Sequence, residues 1–176
     1  MSILRFAIII YFFMGFSSCS NRSITNGDID KFISKYDSVR FDELKDISIA
    51  QRSKDLSKIV YVVGRCEGNH PVYFVTFDLQ KQSVMTIDKT NLEKSKVQEY
   101  PTQDEIFNAV NTIRKHDFSF LAVDSSENVY VNPFYANEPP YLLRLKIATG
   151  DSVIRKGYVY ELYKDNWYLN KTRRKN

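Results

Sequence analysis

Cys66 and His70 share the loop Gly64-Arg65-Cys66-Glu67-Gly68-Asn69-His70-Pro71, where a thiol and an imidazole lie four residues apart. A thiolate with a neighbouring imidazole is a nucleophile with its own base, and Glu67 or another acid brought near by folding would orient the ring. The same loop reads equally as a surface turn whose backbone is set by Gly64, Gly68 and Pro71. The spacing by itself specifies no enzyme family. His116 is the second of two histidines and closes a basic helical turn, where dipole placement already accounts for it. Cys66, His70 and His116 fall short of the four N or S ligands of a structural zinc site. Asp124, Glu127 and Asn128 lack the alternating oxygen ligands and final acid of an EF-hand, so Asp-Ser-Ser-Glu-Asn reads as a turn. Phosphate-loop, dinucleotide, zinc-protease and nucleophile-elbow patterns do not occur. The expectation is therefore a chain without metal or cofactor, more a binding module than an enzyme, with Cys66 and His70 as the alternative catalytic pair.

Binding chemistry has a different set of residues. Tyr158, Tyr160, Tyr163, Trp167 and Tyr168 form the densest aromatic group, and exposed rings of this kind stack on sugars or anchor a protein partner. Strand alternation places Tyr158 and Tyr160 on one face and Tyr163 on the other. Rings in such a pattern also serve as core or cross-strand pairs. Net charge is +4 and dispersed apart from Lys171, Arg173, Arg174 and Lys175. With neither a basic stripe nor a recognition motif, nucleic acid is not an expected partner. The terminal basic cluster reads as a solvated tail, with contact to lipid phosphates near the anchor as the alternative.

The amino terminus supplies an address. Arg5 precedes an apolar run from Phe6 to Phe16, followed by Ser17, Ser18 and Cys19. Eleven helical residues cover only about 16 Å of a hydrocarbon core of about 30 Å. A positive start, a short apolar stretch and small residues before a cleavage point instead have the pattern of a secretory signal. Phe16-Ser17-Ser18-Cys19 resembles a bacterial lipobox, with Phe16 where an aliphatic residue is usual. The resemblance covers residues 1–19 and implies that Cys19 becomes the acylated first residue of the mature protein, anchored in the cell envelope. Ser20 in place of an aspartate favours the outer membrane over inner-membrane retention. Loss of Arg5 with the leader lowers the net charge to +3. Acylation of Cys19 would leave Cys66 as the only free thiol, so stability rests on apolar burial rather than an internal disulfide.

These residues must be positioned by one ordinary domain. The 176 residues, 43% hydrophobic and 26% charged, have a globular balance and fall short of the roughly 250 of a TIM barrel. The expected organisation is a signal peptide at 1–18, a lipidated cysteine and tether at 19–27, a domain at 28–170 and a basic tail at 171–176. Ile29, Phe32, Ile33 and Tyr36 mark an amphipathic helix, with Thr25 or Asn26 as its cap. Phe41, Leu44 and Ile47 suggest a helical turn leading into a strand. KIVYVVGR, PVYFVTFDL and SVMTIDK read as a three-stranded meander. Thr102 and Glu105 have capping-box spacing ahead of Ile106, Ala109, Val110 and Ile113. FSFLAVD, NVYVNPF, YLLRLKI, SVIRKGYVYELY and NWYLNK form a second strand-rich block. The fold class expected is α+β, with a mostly antiparallel sheet of seven or eight strands and two amphipathic helices over one face. The expected partners are the membrane, reached through the N-terminal lipid, and an envelope protein or glycan.

Overall fold

The computed structural model describes residues 24–68, 70–90 and 101–172. The signal segment, Cys19 and Arg173 to Lys175 lie outside the described residues. The chain divides into a leading unit, residues 1–34, and a main unit, residues 35–176. The helix α1 (Asn26–Tyr36) runs from the first into the second. Thr25 caps it: Thr25 Oγ1 accepts from the Asp28 amide at 3.2 Å, and Asp28 Oδ2 accepts from the Thr25 amide at 3.0 Å. Two otherwise unpaired amides are thus satisfied reciprocally. Ile29, Phe32, Ile33 and Tyr36 are buried, as their spacing predicts.

The main unit opens with a 3-10 turn (Asp42–Leu44) and continues through β1 (Ile47–Lys54), β2 (Lys58–Arg65), β3 (Tyr73–Asp78) and β4 (Ser83–Asp88). The helix α2 (Gln103–His116) follows. Six strands complete it: β5 (Phe120–Val123), β6 (Val129–Asn132), β7 (Leu142–Arg144), β8 (Ser152–Arg155), β9 (Tyr158–Lys164) and β10 (Trp167–Asn170). All ten strands form one sheet in the order β4-β3-β2-β1-β5-β6-β7-β10-β9-β8, with antiparallel pairing throughout. The α+β class and antiparallel sheet agree with the sequence pattern, but the described residues form ten strands rather than seven or eight. SVIRKGYVYELY is a hairpin, not one strand, because Lys156 and Gly157 take φ of 51° and 77°. Two consecutive left-handed residues form the turn whose twist matches flanking strands. Lysine at the first position hid that turn within a β-branched run. ISIAQRSK is also a full eight-residue strand, bulged between Gln51 and Ser53.

The helix α2 carries the capping box anticipated from Thr102 and Glu105, with Glu105 Oε2 accepting from the Thr102 amide at 2.7 Å. It packs on β1, β2 and the 3-10 turn, burying Ile106, Ala109, Val110 and Ile113. Ile49, Val63 and Tyr73 lie side by side in register on the buried face of β1, β2 and β3. In crossing back from β4 to the far side of β1, the chain traverses four strand spacings, about 19 Å.

Arg144 and Trp167 fasten the segment after α1 to the sheet. The Arg144 guanidinium donates to the carbonyls of Tyr36 (2.7 Å), Asp37 (2.7 Å) and Val39 (2.8 Å), and Trp167 Nε1 donates to Asp37 Oδ1 at 2.9 Å. Burial lowers the Arg144 pKa from its ordinary value, partly opposed by Asp37 and Asp42. Beside this segment, His116 stacks on Phe118 and meets Tyr36 and Phe41 edge-on.

Thr102→Ala removes the side-chain half of the capping box and should destabilise the chain by about 1 kcal/mol. The urea midpoint should fall with its slope unchanged.

Candidate functional site

The sheet bends round on itself. Cys66 follows β2 and Lys156 follows β8, seven strand spacings apart in the sheet order. A flat sheet would separate them by about 34 Å, yet Lys156 Nζ lies 3.0 Å from Cys66 Sγ. The concave face between them is lined in register by Ala122, Tyr130, Leu143 and Tyr168, with Tyr160 beyond. These side chains and Cys66 form one buried cluster, with Phe120, Val153 and Tyr158 packed against it.

Where the curl closes, Cys66, Glu67, Asn128, Tyr130, Arg155 and Lys156 border an open cleft of about 580 Å³. Asp124 is its buried anchor, only 4% exposed. Its Oδ1 accepts from the amides of Ser126 (3.0 Å) and Asn128 (2.8 Å), while Oδ2 accepts from Asn128 Nδ2 (2.9 Å) and the Tyr130 hydroxyl (3.1 Å). The loop is the turn its composition suggests, with the carboxylate spent on its own backbone. Among the described residues, no group of three or more His, Cys, Asp or Glu side chains is placed to hold a metal ion.

Lys156 completes the cleft. Its ammonium also donates to the Cys66 carbonyl and stands 5.1 Å from the Tyr130 ring centroid. Burial raises the Cys66 pKa above an ordinary thiol's; Lys156 opposes the rise, and Asp124 and Glu67 add to it. The thiol is therefore held neutral, unlike the thiolate of a reactive cysteine. Burial, followed by the Asp124 charge, pushes the Tyr130 hydroxyl far above the usual phenol value.

Among the described residues, no hydrogen bond joins Cys66 to His70. Its side chain is exposed, and the hydrogen-bond partner of Cys66 Sγ is Lys156. The imidazole lies against Gly68, with Nε2 2.8 Å from where a Cβ there would sit. Gly68 has φ of +82°, the left-handed region that favours glycine. Glu67 does border the cleft, where it accepts from Ser125 Oγ at 3.2 Å.

The aromatic candidates divide by burial. Tyr160, Trp167 and Tyr168 are buried, and Tyr158 and Tyr163 are half-buried. As core side chains, the three buried rings form no exposed stacking platform. Tyr168 accepts from the Thr149 amide and donates to the Gly150 carbonyl, both at 3.0 Å. The Tyr160 hydroxyl is buried without a hydrogen-bond partner among the described residues. Of the basic tail, Lys171 pairs with Glu161 at 3.0 Å.

Asp124, Tyr130 and Lys156 were not marked as site residues from sequence. The Asp-Ser-Ser-Glu-Asn spacing did signal the turn. The contact of Lys156 with Cys66 spans ninety residues and depends on sheet curvature, for which one sequence has no local sign. Comparisons with protein-family models, curated proteins and solved structures find no match to this chain.

Two neighbouring tyrosines should respond oppositely to loss of a hydroxyl, although their rings are 6.4 Å apart. Tyr130→Phe takes a donor from a buried carboxylate and should cost about 1.5–3 kcal/mol, whereas Tyr160→Phe should be neutral or stabilising. Chemical denaturation of both variants reads the sign directly.

The raised Cys66 pKa also sets an alkaline limit on stability. Its contribution is whole below the ordinary thiol value of about 8.5 and declines as pH rises from there toward the folded value, because the unfolded chain releases the proton first. The melting temperature of the parent chain should therefore fall more steeply than that of Cys66→Ala between about pH 8 and 10.

Proposed function

We propose that this chain is a bacterial envelope lipoprotein, anchored through acyl groups on Cys19, whose domain binds another envelope component without transforming it. The leader from Arg5 to Cys19 supports the anchor, and Ser20 favours the outer membrane. Several acyl chains hold a protein firmly where one gives only marginal attachment. Among the described residues, no helix is long and apolar enough to cross a membrane.

The polar cleft is the single observation favouring recognition. Glu67, Ser126, Asn128, Arg155 and Lys156 present acceptors, donors and positive charge around one opening. That mixture suits a hydroxyl-rich ligand with some negative charge, and an envelope glycan is the ligand class preferred. The neutral thiol beneath, bonded to Lys156, is suited to a wall rather than a nucleophile. A protein partner is the second reading. It is favoured by Ile154 and Val159, cross-strand neighbours that are 69% and 40% exposed at the β8 edge of the sheet.

Labelled palmitate should enter the parent chain and not Cys19→Ala; equal incorporation would remove the anchor. Titration with acidic and neutral envelope glycans should give saturable binding that Arg155→Ala or Glu67→Gln weakens about tenfold, a difference of about 1.4 kcal/mol. Absence of binding across the panel, with Ile154→Lys releasing a crosslinked protein, would transfer the function to the sheet edge.

A further inference from the structure

Leu56 is fully exposed at the tip of the β1–β2 hairpin. One exposed leucine is ordinary on a protein surface, but the structure around this one is built. Asp55 Oδ1 accepts from the Ser57 amide (2.7 Å), Ser57 Oγ (2.9 Å) and the Lys58 amide (2.8 Å), leaving Leu56 projecting from a fixed turn. The neighbouring β3–β4 tip is fixed similarly, with Asp78 Oδ1 accepting from the amides of Gln80 (2.8 Å) and Lys81 (2.9 Å). The Leu79 amide donates to the Ser57 carbonyl at 2.8 Å, joining the two tips. Arg114 is drawn to the same end, with Nη2 2.6 Å from Gln82 Oε1.

Lys54, Lys58 and Lys81 are exposed on these two joined tips, beside Asp55 and Asp78, whose carboxylates are turned onto backbone amides. An apolar tip within a basic rim matches the boundary of a bilayer, where a side chain enters the acyl region and cations face lipid phosphates. We propose that these joined tips are a membrane-contacting face for anionic phospholipid, with Leu56 as the inserting residue. The inference rests on the anchored reading in one respect: a domain tethered close to lipid experiences a high effective lipid concentration, so a weak contact suffices. Ile147, 75% exposed after β7, provides an internal comparison, because alternating strand directions place it at the opposite end of the sheet.

The test uses the full chain with Leu56→Trp or Ile147→Trp, reconstituted in vesicles containing brominated phosphatidylglycerol or brominated phosphatidylcholine. Quenching above the Trp167 background is expected for Leu56→Trp in phosphatidylglycerol, weakened by high salt, and not for Ile147→Trp. Leu56→Glu should lower vesicle partition of the chain carrying Cys19→Ala by about tenfold. Equal quenching at the two positions, quenching indifferent to lipid charge, or none while the chain co-floats with vesicles would overturn the membrane face and leave the anchor standing. Position-specific quenching that persists in Cys19→Ala, together with no palmitate label on the parent chain, would keep the face and remove the anchor.

Discussion

A ten-stranded sheet reaches from β2 to the end of β8 only by bending, and the contact of Lys156 with Cys66 marks where that bend closes. Right-handed twist supplies part of the curvature in any sheet. Here Tyr130, Tyr160 and Tyr168 fill its concave side, excluding water from backbone and thiol alike. The curl accounts for the burial of the β6 face that bears Tyr130, while Val129 and Val131 are buried on the other face. It also explains why Asp124 keeps four hydrogen-bond donors to itself: a carboxylate this far from water is tolerated only when fully paired. Cleft, neutral thiol and tyrosine cluster all follow from one deformation.

Much of the local architecture was legible from sequence, because its causes are local. The Thr102–Glu105 cap, the stripe of Ile106, Ala109, Val110 and Ile113, and the first meander follow from side-chain spacing and hydrogen-bonding capacity within a few residues. The β8–β9 hairpin was obscured because Lys156 takes a left-handed conformation at a position more often filled by Asn, Asp or Gly. The site was less legible. Cys66 stands out by its type, but its neighbour is set by register and curvature across the sheet rather than by the adjacent His70. The terminal rings show the same limit, since alternation assigns faces without telling which is covered. Once the sheet curls, the side bearing Tyr160 and Tyr168 becomes interior.

The cleft combines a rigid floor with an adaptable rim. Asp124, Asn128 and Tyr130 are locked by mutual hydrogen bonds, whereas Glu67, in the loop after β2, and Arg155, at the end of β8, are exposed side chains that border the opening. Such a division suits recognition, where fixed backing limits the entropy lost on binding and peripheral groups select the ligand. It suits thiol chemistry poorly, since the sulfur is shielded, protonated and already engaged.

Arg144 gives the fold a mechanical property. Its three bonds to successive parts of the Tyr36–Val39 segment, with Trp167 on Asp37, fasten the backbone where the chain enters the main unit. Tension arriving along the polypeptide from its amino-terminal side therefore loads this set of bonds before it reaches the strand ladders. Bonds loaded together share a pull that would open a hairpin one rung at a time. The guanidinium thus hands such a pull to β7, inside the sheet, before it can begin to part β1 from its neighbours.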